Sequence, residues 1–129
     1  MRLQLALNVR DLGSAVDFYS KMFGVAPVKV KPGYANFAID EPPLKLVLFE
    51  EPSAPERLNH LGVEVFDDAE VGEARNRVSA AGIQHFNEND TTCCHARQNK
   101  VWAREPDGLR WEWYRVIEDV VGDGLVPSR

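Results

Sequence analysis

Hydrophobic and polar side chains alternate along several short stretches of the chain, which is typical of β-strands with two different faces. In the first stretch, residues 3–9, the odd positions are leucine or valine and the even positions are Gln4, Ala6 and Asn8. Similar stretches predict further strands at residues 27–31, 34–39, 44–49, 60–65, 83–86, 100–104 and 109–116.

Two other stretches have apolar residues at helical spacing. Asp11 suits the N-cap of the first helix, which is expected to end at Phe23 before the glycine at position 24. The second predicted helix spans residues 68–81, with Val71, Ala74 and Val78 on one face and a glycine after it.

The order strand, helix, three strands therefore occurs twice, with a period of about 56 residues. This predicts an α+β fold in which two tandem βαβββ modules form a curved mixed sheet or half-barrel. We expect a single domain over residues 1–129, with module 1 at about 1–51 and module 2 at about 58–117. Residues 52–55 would link the modules, and residues 118–129 are expected to form a frayed tail.

Strand parity also predicts which side chains share a face. The apolar faces should pack under the helices, which leaves Gln4 and His60 at equivalent positions on the opposite faces of the two modules. Glu112, on the last strand of module 2, should face the same way as His60. If the two sheets curl together, one amide, one imidazole and one carboxylate would suit a divalent metal ion with open coordination positions. Taken singly, a histidine at a strand start is more often a surface or hydrogen-bonded residue, and Glu112 between two tryptophans fits the exposed half of an amphipathic edge strand.

The chain has two cysteines, Cys93 and Cys94, which are adjacent. Neighbouring cysteines are poorly placed for a disulfide because their Cα atoms are too close. Two thiolates on one loop form a clamp for a thiophilic ion such as As(III), Cd(II), Zn(II) or Cu(I). A pair of inert, buried thiols is the simpler alternative. The polar flanking residues 87–92 predict an exposed loop.

Charge and hydropathy exclude some classes of function. The formal net charge is −5 and no basic stripe is present, which argues against nucleic-acid binding. No apolar run is long enough to cross a bilayer, and residues 1–4 do not begin a signal peptide. Adjacent cysteines without a disulfide framework favour a reducing compartment. We therefore expect a cytoplasmic protein, either a monomer or a homodimer.

Residues 5–12 (LALNVRDL), 18–24 (FYSKMFG) and 60–65 (HLGVEV) resemble the vicinal oxygen chelate superfamily, which includes glyoxalases, bleomycin-resistance proteins and extradiol dioxygenases. Residues 31–39 (KPGYANFAI), 42–50 (PPLKLVLFE) and 88–94 (ENDTTCC) are similar to organoarsenical C–As bond lyases and related cadmium-induced proteins. The resemblance extends over nearly the whole chain to about residue 116.

The resemblance implies a role for each matching residue. Gln4, His60 and Glu112 match metal-ligand positions, with Fe(II) as the expected metal and Ni, Zn or Cd as occupying substitutes. Cys93 and Cys94 match the thiols that hold trivalent arsenic. The implied function is an Fe(II)- and O2-dependent dioxygenase-type lyase that converts methyl- or aryl-As(III) to inorganic As(III). Many such lyases have histidine where this chain has Gln4, although glutamine also occurs there in glyoxalases.

Three alternatives remain open at this point. The cysteine pair, with or without His95, is also suited to sequestering Cd(II), Zn(II) or As(III) without turnover. A glyoxalase-like isomerase would need a further carboxylate as base, and the repeat places Val47 at that position. A drug-binding protein would use aromatic residues to line a cavity, for which Tyr34, Trp102 and Tyr114 are candidates.

The charges around the cysteines bear on their ionisation. Glu88 and Asp90 lie close in sequence and would oppose formation of a thiolate. Arg97, Lys100 or a protonated His95 would offset them, and His95 is also a candidate hydrogen-bond donor.

Overall fold

The computed structural model describes the backbone of residues 1–93, 96–121 and 124–127, and the side chains of residues 1–92 and 96–117. The chain divides into two compact units, Arg2–Leu61 and Gly62–Arg129. Among the described residues, no helix combines the length and apolar character that crossing a bilayer requires.

The unit Arg2–Leu61 contains one helix and a mixed sheet. Its elements are β1 (Arg2–Val9), α1 (Leu12–Phe23), β2 (Lys29–Lys31), β3 (Tyr34–Ile39), β4 (Leu44–Glu50) and the first part of β5 (Leu58–Glu64). The strands are hydrogen-bonded in the order β2-β3-β4-β1-β5. β1 and β4 are parallel, whereas β3 pairs antiparallel with both β2 and β4.

The ends of α1 follow the sequence signals. The Asp11 side chain accepts hydrogen bonds from the backbone N–H and the hydroxyl of Ser14. Gly24 ends the helix at φ 68°, a left-handed conformation that glycine adopts without a Cβ clash. The helix packs onto the leucine face of the sheet, where Val9, Phe37, Ile39, Leu46 and Leu48 form the buried core.

The unit Gly62–Arg129 repeats this plan. It contains the rest of β5, α2 (Asp68–Ala80), β6 (His85–Cys93), β7 (Ala96–Arg104), β8 (Arg110–Val121) and β9 (Gly124–Pro127). The order is β5-β8-β7-β6, with β9 paired to β8. Ala74 and Val78 of α2 pack against Val101, and Trp113 covers the same cluster.

The predicted α+β fold with two βαβββ modules is confirmed. The predicted faces are also confirmed, because the leucines of β4 pack under α1 and Trp113 packs under α2. The polar face of β1 is the more buried one. Gln4, Ala6 and Asn8 are 5%, 0% and 9% exposed, whereas Leu5 and Leu7 are half-buried.

The predicted loop at residues 87–92 is wrong, since β6 continues through it to Cys93. Thr91 and Thr92 pair with Gln98 and Arg97 of β7. β6 lies at the end of the strand order, and a strand that is open to solvent can be polar throughout. This is why hydrophobic alternation did not reveal it.

The chain after residue 117 also differs from expectation. Instead of a frayed tail from residue 118, β8 runs to Val121 and β9 pairs with it antiparallel. The β-branched and apolar residues on both sides of the glycines at 122 and 124 favour a strand pair. The prediction of a frayed tail gave too much weight to the glycines.

Candidate functional site

Two of the predicted metal ligands lie side by side in the unit Arg2–Leu61. The amide nitrogen of Gln4 is 3.1 Å from Nε2 of His60, and both side chains are buried. β1 carries Gln4 and β5 carries His60, so the equivalence seen in the sequence corresponds to adjacent strands. The ring centre of Phe49 is 6.5 Å from that of His60, so an aromatic side chain lies beside the imidazole.

Both ring nitrogens of His60 lie close to side-chain amides. Nδ1 is 2.7 Å from Oδ1 of Asn59, and Nε2 is 3.1 Å from the amide nitrogen of Gln4. These contacts suit a ring whose Nδ1 donates to Asn59 and whose Nε2 accepts from Gln4. A neutral imidazole with an unprotonated Nε2 is the form that binds a metal ion. A half-turn of the Gln4 amide exchanges its nitrogen and oxygen, which would offer the oxygen as a second ligand.

Glu112, the third predicted ligand, is buried in the unit Gly62–Arg129. Its Oε1 lies 3.4 Å from Nζ of Lys100, and the two residues are 3% and 2% exposed. The same ammonium lies 5.3 Å from the centre of a Trp102 ring and 5.8 Å from that of Tyr114. The charge of Glu112 is therefore balanced by a buried cation between two aromatic faces.

Sequence reasoning missed this ion pair. It named Lys100 only as a partner for the cysteine thiolates, whereas the structure places the ammonium on Glu112. The signal is in the strand register. Antiparallel pairing sets Lys100 opposite Tyr114 and Trp102 opposite Glu112, so Lys100 and Glu112 are diagonal neighbours on one face.

Imidazole, amide and carboxylate groups are all ligand types that bind divalent cations. The unit Arg2–Leu61 supplies the buried imidazole of His60 with the amide of Gln4 beside it, and the unit Gly62–Arg129 supplies the buried carboxylate of Glu112. Within the described residues, no three histidine, cysteine, aspartate or glutamate side chains are gathered closely enough to hold a metal ion.

The first of the two cysteines lies at the end of β6. Cys93 is the last residue of β6 and pairs with Ala96, the first of β7. Cys94 and His95 lie outside the described residues, as does the side chain of Cys93. The described backbone of Cys93 is therefore part of a strand rather than of a loop.

The acidic residues near the cysteines have partners of their own. Asp90 forms a 2.8 Å ion pair with Nε of Arg97, and Glu88 accepts a 2.8 Å hydrogen bond from the Trp102 indole. Of the cations expected to offset these acids, Arg97 neutralises Asp90 directly. The repulsion that the acids would exert on a thiolate is reduced accordingly.

The aromatic residues proposed for a drug-binding cavity are already engaged with neighbouring side chains. Tyr34 is buried and accepts a hydrogen bond from Asn36 at 2.9 Å. Trp102 and Tyr114 flank the Lys100 ammonium. Val47, at the position where a glyoxalase-like base was sought, is buried and apolar.

Residues 3–113 match the family model described as the Glyoxalase/Bleomycin resistance protein/Dioxygenase superfamily. The chain belongs to this superfamily. Its resemblance to that group, expected from the sequence motifs, is thereby confirmed.

Two curated relatives are described more narrowly than the superfamily as a whole. The chain is 56% identical, over 92% of its length and 79% of the relative's, to a trivalent organoarsenical cleaving enzyme of Thermomonospora curvata. It is 54% identical, over 92% of its length and 78% of the relative's, to the cadmium-induced protein CadI of Mycobacterium bovis.

Solved structures of other proteins share the fold of this chain. Homoprotocatechuate 2,3-dioxygenase from Arthrobacter globiformis superposes with a TM-score of 0.66 at 18% identity, covering 92% of this chain and 36% of that one. An Mn(II)-bound glyoxalase from Novosphingobium aromaticivorans gives a TM-score of 0.62 at 22% identity, covering 98% and 40%. At these identities the likeness concerns the fold alone.

Proposed function

We propose that this chain is a C–As bond lyase that converts trivalent organoarsenicals to inorganic As(III). The observation that carries the proposal is the 56% identity to a trivalent organoarsenical cleaving enzyme in a chain that has adjacent cysteines, the first of which ends β6. As(III) is a soft ion that prefers thiolate ligands, and two adjacent thiols supply them.

In this proposal Cys93 and Cys94 hold the arsenic, and Gln4, His60 and Glu112 hold a divalent metal, for which Fe(II) is our candidate. The bound metal would supply the O2 chemistry. The cysteines would fix the arsenic so that its carbon substituent is presented to the site, which is catalysis by proximity. For methyl-As(III), the reaction balances when O2 oxidises the methyl carbon to formaldehyde and arsenic leaves as arsenite, still trivalent.

In this scheme, Lys100 would orient the carboxylate of Glu112. Its ammonium contacts Glu112 directly and supplies a countercharge for that buried carboxylate. Such a contact fixes the orientation of the carboxylate.

The test is an anaerobic loading experiment. Protein is loaded with Fe(II) under anaerobic conditions, and methyl-As(III) or phenyl-As(III) is added with and without O2. We expect arsenite to be released only when both Fe(II) and O2 are present. A Cys93→Ser variant should lose arsenic binding and turnover but keep its metal. Arsenite release no greater than in a protein-free control would overturn the proposal.

A second candidate function is sequestration of a thiophilic ion without turnover. The 54% identity to a cadmium-induced protein favours it, and the same cysteine pair would bind Cd(II). Tight Cd(II) binding together with no arsenite release would select this function. Either function requires reduced thiols, so we propose that the protein acts in the cytoplasm, as a monomer or a homodimer.

A further inference from the structure

A chain of side-chain hydrogen bonds leads from a backbone carbonyl to the ring of His60. Asn8 Nδ2 donates to the carbonyl oxygen of Glu56 at 3.0 Å, and Asn59 Nδ2 donates to Asn8 Oδ1 at 3.0 Å. Asn59 Oδ1 then meets Nδ1 of His60 at 2.7 Å. All four residues lie within the unit Arg2–Leu61.

The first contact fixes the direction of all the others. A carbonyl oxygen can only accept, so Asn8 must turn its NH2 group toward Glu56 and its oxygen toward Asn59. Asn59 must then present its own NH2 group to Asn8, which leaves its oxygen for His60. An oxygen at 2.7 Å requires a proton on Nδ1, and Nε2 of the neutral ring is left without one.

The backbone holds this chain in place. The backbone N–H of Asn8 donates to the backbone carbonyl oxygen of Arg57 at 2.6 Å. In return, the side-chain Nε of Arg57 donates to the backbone carbonyl oxygen of Asn8 at 3.0 Å. Asn8 and His60 are buried, at 9% and 7% exposed, whereas Asn59 is half-buried and Glu56 is exposed. Each side-chain amide in this hydrogen-bond chain has two partners within the protein, and those partners set its orientation.

We propose that Asn59, oriented by Asn8, is a positioning residue that keeps the proton of His60 on Nδ1 and so holds Nε2 ready to accept a cation. The part that concerns the cation rests on the proposed function. The part that concerns the proton is a property of the metal-free chain. An imidazole without such a partner favours the proton on Nε2, which is the wrong form for this purpose.

Side-chain nitrogen NMR of the metal-free protein tests the tautomer, at a pH at which histidine is neutral. We expect the wild-type His60 spectrum to show a protonated Nδ1 and an unprotonated Nε2. Asn59→Leu should move the proton largely to Nε2. Asn59→Asp loses the donor to Asn8 but keeps an acceptor oxygen toward His60, so it should keep the proton on Nδ1. A merely structural role for Asn59 would not produce this difference between the two variants.

Two controls are built into the chain. His85 donates from Nδ1 to the carbonyl of Ile83 at 2.7 Å, so its spectrum should be the same in every variant. Asn89→Leu removes an exposed asparagine whose partner is Arg75, and it should leave His60 unchanged. A wild-type protein with the proton on Nε2, or an Asn59→Leu protein that retains it on Nδ1, would overturn the proposal.

Binding of Mn(II), followed by calorimetry, tests the consequence for a cation. Asn59→Leu should weaken binding roughly 10–100-fold, the usual effect of losing the partner of a ligating histidine, and Asn59→Asp should weaken it less. Unchanged affinity in Asn59→Leu would overturn the link to cation binding. If wild-type protein shows the expected tautomer but binds no Mn(II), the metal part of the proposed function fails and the tautomer assignment is supported.

Discussion

At the scale of single residues, the pair Lys100 and Glu112 shows how two oppositely charged side chains can be buried together. Each group is almost fully removed from water, and each supplies the countercharge of the other at 3.4 Å. Removing one partner from such a pair leaves an uncompensated charge in a medium that solvates it poorly. The pair is therefore a vulnerable point of the fold as well as part of the candidate site.

Lys100→Met tests this vulnerability, because methionine fills a similar volume without charge. We expect the free energy of unfolding to fall by about 3 kcal/mol in a urea titration. Lys21→Met is the matched control, since it breaks an exposed ion pair with Asp17 and should cost less than about 1 kcal/mol. Equal effects of the two variants would mean that the buried pair contributes no more than an exposed one.

At the scale of elements, the ends of α1 were predicted well because caps are local. Asp11 accepts from the N–H of Ser14 three residues later, and both residues can be identified from their types and spacing alone. The part of β6 at residues 87–92 was not predicted because it is polar and shows no hydrophobic alternation. Its polar residues form a strand only because β7 supplies hydrogen-bonding partners, and the sequence contains no periodic signal of that partnership.

Asp11→Ala should destabilise the chain through the loss of the α1 cap. We expect the free energy of unfolding to decrease by about 1 kcal/mol, measured by urea denaturation. Asp17→Ala changes the same residue type on the same helix but removes only an exposed pair with Lys21, and it should cost about 0.3–0.5 kcal/mol. If both substitutions have the same small effect, the cap does not stabilise the helix.

At the scale of the whole molecule, the proposed ligands come from both compact units: Gln4 and His60 from one and Glu112 from the other. A cation that binds the folded chain and not the unfolded one stabilises the folded state by mass action.

Thermal unfolding with and without Mn(II) measures this linkage. At a free metal concentration of about 100 Kd, we expect about 2.7 kcal/mol of stabilisation and a rise in Tm of several degrees. Glu112→Gln keeps the shape of the side chain and removes its charge, and it should abolish most of the rise in Tm. Glu112→Ala should also abolish most of the rise, and the purified variant should no longer bind Mn(II). A wild-type rise that persists in both variants would show that Glu112 is not a ligand.

The sequence by itself determined the repeat of two βαβββ modules, the helix ends and the face on which each strand residue lies. These features depend on residue type and on spacing along the chain, which the sequence contains in full. It also brought out Gln4 and His60 as equivalent positions, and the structure places their side chains 3.1 Å apart.

Only the tertiary structure decided which partners those side chains have. The Lys100–Glu112 pair arises from the register of β7 against β8, and the tautomer of His60 arises from a hydrogen-bond chain that crosses from β5 to β1 and back to the backbone at Glu56. Register and side-chain partnership depend on contacts between residues that are far apart along the chain. No local pattern specifies such contacts, because many pairings are compatible with the same alternation of polar and apolar positions.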